Sequence, residues 1–264
     1  MKNTNKKIFS FILSLLLCTT ILLQKNPTAV QASTQTLSSY KKVSENKSQR
    51  IGNTTYFMKY NDKIKRYTVY AKRNSKNYIL IRNCSSSSIV TNGNKLYYAT
   101  GSTISYDFMP IMNQRHIIVY DIKQRKNKIL KKMSGQGRGY GMLACNGKYL
   151  YFGTETQYAD AKGSISVLNL QTQKVIQAGN TGSKIQKVKN KLLVSSTGFP
   201  HGGELYLINR DGSGHKQITT ENVIEVKITN SYIYYTEAKY DWRIRKCKCD
   251  LSGNNVRLLT GWYR

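Results

Sequence analysis

The sequence predicts an all-β fold of repeated four-stranded sheets, a β-propeller, on three observations. Downstream of residue 50 the apolar residues alternate or come in runs of three to five rich in Tyr, Ile and Val, with almost no helical period. Apolar doublets recur at Tyr56-Phe57, Tyr97-Tyr98, Tyr151-Phe152, Leu193-Val194 and Tyr234-Tyr235, at spacings of 41, 54, 42 and 41 residues. Each doublet stands between two hairpin signals. Two hairpins in roughly 42 residues make one four-stranded blade, and a single small sheet can cover its faces only by packing against its neighbours.

The elements follow in chain order. MKNTNKK carries three lysines and no acid, and Ile8 to Leu23 is an apolar run shorter than the roughly 20 residues of a spanning helix. Val30-Gln31-Ala32 supplies small residues for a peptidase, so residues 1–32 read as a signal peptide cleaved after Ala32, with an N-terminal membrane anchor as the alternative. No span is expected after processing. Residues 33–50 are polar and read as a tether or a weak edge segment. Residues 51–264 form the propeller, with five blades expected and a six-bladed or incomplete ring as alternatives.

Within each repeat the first hairpin turns on IGNTT, TNGNK, CNGK, KNK or TNS, where Asn and Gly tolerate the positive φ of tight turns. The second hairpins are YAKRNSKNYIL, YDIKQRKNKIL, LNLQTQKVIQ, INRDGSGHKQI and CDLSGNNVRLL. We label the strands of a blade a to d from the axis outward, so the first hairpin joins a to b and the second joins c to d.

INRDGSGHKQITT followed by IEVKITNSYIYYTEA, residues 208 to 238, resembles the repeat of exported Gram-positive propellers of unknown function. These are related to the TolB C-terminal and lipoprotein-receptor YWTD-type propellers. The resemblance covers Ile51 to about Thr260 and implies the fold. It implies no activity, because the Asp-Gly-Ser-Gly turn and the Tyr-Tyr doublet are structural.

In a propeller the b-to-c and d-to-a loops share one face, where ligands are expected. Those loops are read at 61–66, 99–115, 153–163, 195–203 and 236–242, which places Tyr106, Phe108, Tyr158, Phe199, His201, Tyr240 and Trp242 there. Aromatic rings on a polar surface stack on sugars or anchor a protein partner. The glycine-rich SGQGRGYG, residues 134–141, reads as a d-to-a connection that brings Arg138 and Tyr140 to the channel mouth. Its alternating glycines lack the GxGxxG spacing of a dinucleotide site, and no helix follows. The candidate ligand-binding residues are therefore Arg138, Tyr140, Tyr106, Phe108, Tyr158, His201, Tyr240 and Trp242.

Catalysis and metal binding find less support. The loop carboxylates Asp107, Glu155, Asp160, Glu204, Glu237 and Asp241 are scattered and match no glycosidase motif, although paired channel carboxylates would make a glycan-active enzyme the alternative reading. His116, His201 and His215 belong to three repeats, so no metal or cofactor is expected. Cys84, Cys145, Cys247 and Cys249 fall far apart in the blade arrangement or side by side on one strand, and read as buried free thiols.

Charge narrows the partners. Losing residues 1–32 removes four lysines and no acid from 42 basic and 13 acidic residues, which leaves 25 excess positive charges on 232 residues. Such a surface attracts polyanions with strong salt dependence. The expectation is a monomeric, secreted or cell-wall associated binding module for an anionic cell-wall polymer, a glycan or an extracellular protein, without a specific nucleic-acid partner.

Overall fold

Twenty strands and no helix occupy the described residues of the computed structural model, which are 40–106, 109–134, 139–155, 164–179, 184–195 and 203–264. They all lie in the unit Thr34–Arg264. The expected signal peptide lies outside them.

The strands form successive antiparallel meanders. After β1 (Lys41–Ser44), the first meander is β2 (Gln49–Ile51), β3 (Thr54–Asn61), β4 (Arg66–Arg73) and β5 (Lys76–Cys84). The second is β6 (Ser88–Thr91), β7 (Lys95–Tyr106), β8 (Met109–Asp121) and β9 (Lys126–Ser134). The third is β10 (Gly139–Cys145), β11 (Tyr149–Glu155), β12 (Ile165–Asn169) and β13 (Val175–Gly179). The fourth starts with β14 (Lys184–Val188), β15 (Lys191–Ser195) and β16 (Gly203–Asn209), and takes its outer strand from the first half of β17 (Lys216–Ile228). The second half of β17 opens the fifth, with β18 (Tyr232–Ala238), β19 (Ile244–Asp250) and β20 (Arg257–Leu258). These repeated four-stranded units make the fold an all-β propeller.

The doublets explain how the meanders hold together. Successive side chains on a strand point to opposite faces, so the two members of a doublet serve two different cores. Tyr56 and Tyr98 share the core between the first and second meanders, Tyr97 and Phe152 the next, Tyr151 and Val194 the third, and Leu193 and Tyr235 the fourth. The first member always faces the following meander and the second the preceding one. Phe57 and Tyr234 are the two members left over at the ends, and both are half-buried.

Turn glycines seat the last two meanders against their predecessors. Gly212 (φ 92°) lies where an added Cβ would stand 2.8 Å from Val167 of the third meander, and at Gly253 (φ 74°) it would stand 3.1 Å from Leu207 and Ile218 of the fourth. Only glycine supplies both the left-handed backbone and the close approach.

Three features depart from the sequence reading. Residues 41–44, inside the segment read as a tether or weak edge, form β1, which pairs with the inner strand β6 through Lys41–Thr91 to Ser44–Ser88. Val43 is fully buried in the first core and Tyr40 packs on Tyr97 with ring centroids 5.4 Å apart. Second, residues 99–106 and 109–115, read as a loop, extend the β7–β8 ribbon as far as Tyr106 opposite Met109. The longer 54-residue spacing is this ribbon, because the extra residues satisfy their backbone groups across a hairpin. Third, the strand after SGQGRGYG begins earlier than expected: Gly139, Tyr140 and Gly141 already pair with Glu155, Thr154 and Gly153. The C-terminal GWYR lies along the edge of the last sheet, where Tyr263 and Ile244 exchange backbone hydrogen bonds of 2.8 and 3.0 Å.

All four cysteines of the described residues are free and buried. Burial pushes the Cys84 thiol up to about 12 and those of Cys145, Cys247 and Cys249 up to about 11. Thiols with raised folded-state pKa values hold more protons in the folded than in the unfolded chain between about pH 8.5 and 11. Their contribution is complete below about pH 8.5 and is lost as the pH rises through 11. We expect no alkylation of these four by iodoacetamide at pH 8 in the native protein, modification of all four in denaturant, and a melting temperature that falls from pH 8.5 to 10.5. Mass spectrometry and a melting series check this, and rapid native alkylation would contradict the buried placement.

Candidate functional site

The β18–β19 turn, Lys239 to Arg243, is where the structure brings two predicted site residues together. The Trp242 amide donates to the Lys239 carbonyl at 3.1 Å and the Lys239 amide to the Arg243 carbonyl at 2.9 Å. The same two-bond pattern closes Asn209–Ser213 and Asp250–Asn254. It is a three-residue loop whose last position needs a left-handed backbone. In the other two turns that position is Gly212 or Gly253; here it is Trp242, at φ 67°. A bulky residue there costs about 1–2 kcal/mol. Trp242 nevertheless stands 69% exposed, beside Tyr240 at 70%. Burial of the remaining third of the ring does not repay that cost, and backbone strain of this kind clusters at functional sites.

Charged side chains flank the turn. Asp241 accepts from the Arg243 Nε at 2.7 Å, and that hydrogen bond holds its carboxyl below the usual carboxylate range. Lys239 Nζ and the Arg245 guanidinium carbon lie 4.5 and 4.4 Å from the centre of the Trp262 ring. Behind the turn, Glu237 is 2% exposed, accepts from Arg245 Nε at 2.5 Å and from the Thr219 hydroxyl at 2.6 Å. This pair ties β18 and β19 to the fourth meander through β17.

The other predicted residues are placed as follows. Tyr106 ends β7 and Tyr140 belongs to β10, so both stand on paired strands and not on free loops. Arg138, Phe108, Tyr158, Phe199 and His201 lie outside the described residues, as do Asp107 and Asp160. Of the candidate carboxylates, Glu237 and Asp241 are each engaged by an arginine. His215 packs against Tyr206 with ring centroids 4.5 Å apart. Among the described residues no three His, Cys, Asp or Glu side chains gather as a metal site.

Sequence reasoning missed Arg243, Arg245, Lys239 and Trp262. The signal was present in YTEAKYDWRIR: once Lys239–Arg243 is taken as the turn, Glu237 falls opposite Arg245. Two clefts open on the opposite face, among the short turns. One, of about 450 Å³, is lined by Asn53, Arg73 and Asn92; the other, of about 750 Å³, by Lys148, Asn190 and Arg210.

The fold and this turn define a basic β-propeller presenting an exposed aromatic pair. Among solved structures the chain is similar to TolB from Acinetobacter baumannii (12% identity, TM-score 0.42, covering 80% of this chain and 54% of that one). It is also similar to the β-propeller domain of the trilobed protease from Pyrococcus furiosus (13%, 0.43, 81% and 69%) and to dipeptidyl peptidase 4 from Porphyromonas gingivalis (10%, 0.47, 82% and 39%). The chain spans about half the length of TolB and less of the peptidase. No family model and no curated protein sequence matches the chain.

Proposed function

We propose that the protein is a non-catalytic binding module of the cell envelope, exported by residues 1–32, whose ligand is an anionic wall polymer or glycan. The observation that carries this reading is Trp242, held exposed in a left-handed turn position that the two matching turns give to glycine. Tyr240 supplies a second ring, and Lys239 supplies positive charge in the same hairpin beside Arg243 and Arg245, which are held by Asp241 and Glu237. A flat ring covers the apolar face of a sugar while the cations meet its anionic groups. The excess of positive charge over the chain raises the encounter rate with any polyanion.

Co-sedimentation of the exported chain with purified cell walls at rising NaCl tests the reading. Binding at low salt that weakens steeply toward physiological ionic strength is expected. A protein that stays in the supernatant at low salt is not an envelope-binding module.

A further inference from the structure

The outer face of the last meander carries a row unlike those of the meanders before it. Paired residues in an antiparallel ladder share a face, so the row through Tyr234 reads Lys227, Tyr234, Lys248 and Arg257 across β17, β18, β19 and β20. The corresponding rows facing the following meander are Val90, Tyr97, Val119 and Lys128 in the second, and Ala144, Tyr151, Val167 and Ile176 in the third. In the fourth meander the row is Gln186, Leu193, Leu207 and Lys216. The two positions beside the doublet are uncharged in all of these, and lysine comes only at the end. The row through Tyr234 is not built to be buried under a further sheet.

Nor is it built only for solvation. Lys248 and Arg257 stand directly opposite one another, a like-charge arrangement that opposes pairing, and no acid interrupts the row. Lys248 Nζ lies 4.5 Å from the Tyr232 ring centre. The neighbouring acids are Glu225, in the next row with Thr236 and Lys246, and Asp250, whose oxygens accept from Ser252, Asn254 and Asn255 at 2.8–3.0 Å. A groove of about 340 Å³ lined by Glu225, Lys227, Tyr234, Lys246 and Leu259 runs over the same face. With strands about 4.8 Å apart, the row from Lys227 to Arg257 is about 14 Å long.

We infer that this face is a track for a linear polyphosphodiester, laid across the strands with its phosphates on Lys227, Lys248 and Arg257 and its backbone against Tyr234. Lysine acts as a mobile point charge toward phosphate, and the row makes no base-reading or planar bidentate arrangement. The choice of polymer rests on the envelope reading above; the site is separate from the Trp242 turn.

The test is fluorescence anisotropy of a labelled ten-unit glycerol-phosphate oligomer titrated with the full chain at several salt concentrations. The triple variant Lys227→Gln, Lys248→Gln, Arg257→Gln is expected to bind more than tenfold more weakly at low salt. Its log–log salt slope should be shallower by about 2–3, close to one for each phosphate that the variant no longer neutralises. Trp242→Gly should leave that slope unchanged, so failure of wall binding in Trp242→Gly with an unchanged oligomer slope separates the two readings. An unaltered slope in a triple variant that melts like the parent overturns the track. Tighter binding of heparin or single-stranded DNA than of the oligomer overturns the choice of polymer. A parent that sediments as a dimer and becomes monomeric in the variant overturns the track as well, because the face is then covered by a second copy.

Discussion

Replacing Trp242 with glycine lowers the affinity for purified walls about 30-fold, the effect of losing about 2 kcal/mol from an aromatic anchor. The same change leaves the protein at least as stable as the parent, by about 0.5 kcal/mol. The left-handed backbone costs a bulky residue about 1–2 kcal/mol, and the extra freedom of glycine in the unfolded chain returns up to about 1 kcal/mol of that gain. The side chain is 69% exposed, so little burial is lost. Wall co-sedimentation and a thermal melt on the same preparation measure both effects. A variant that binds as the parent does removes Trp242 from the site; one that melts several degrees lower makes its role structural.

The largest loss of stability is expected at Arg245. Its Nε donates to Glu237, which is 2% exposed, and its guanidinium stacks on Trp262. Arg245→Ala leaves a buried carboxylate with only the uncharged Thr219 hydroxyl and Cys247 thiol as described side-chain donors, at a cost of about 3 kcal/mol. For a chain of this size that lowers the melting temperature by roughly 6–12 °C. Glu237→Gln in the Arg245→Ala background recovers most of the loss, because a neutral amide needs no counter-charge and still accepts from Thr219. A loss below about 1 kcal/mol in Arg245→Ala, or no recovery in the double variant, argues that the pair is too hydrated to hold the fourth and fifth meanders together.

Much of the fold was legible because it is periodic. The doublets marked the second strand of every meander, and Asn and Gly turns marked the first hairpin of each and the second hairpin of the first, fourth and fifth, since strand alternation and positive φ are local demands on residue type. The 54-residue gap misled because an added hairpin ribbon and an added loop differ only in long-range pairing, which polar residues such as Ser102 and Gln114 do not advertise. β1 was legible only as a tether or a weak edge segment for the same reason: Lys41, Lys42 and Ser44 surround one buried position, Val43, and four residues alone carry no period.

The site divides along the same line. Tyr240 and Trp242 were legible as aromatics in a b-to-c turn, whereas the left-handed backbone of Trp242 came only with the closed hairpin, because φ there is imposed by the hydrogen bonds across it. The Glu237–Arg245 pair required the register of β18 on β19, and the basic row required four strands in register. By itself the sequence determined the strand repeat, the excess of positive charge and which residue types sit in turns, all of which are local or additive properties. Tertiary structure decided which member of each doublet meets which neighbour, and that Tyr234 is left facing outward among Lys227, Lys248 and Arg257. Those are facts about pairing between distant segments, and no short stretch of chain contains them.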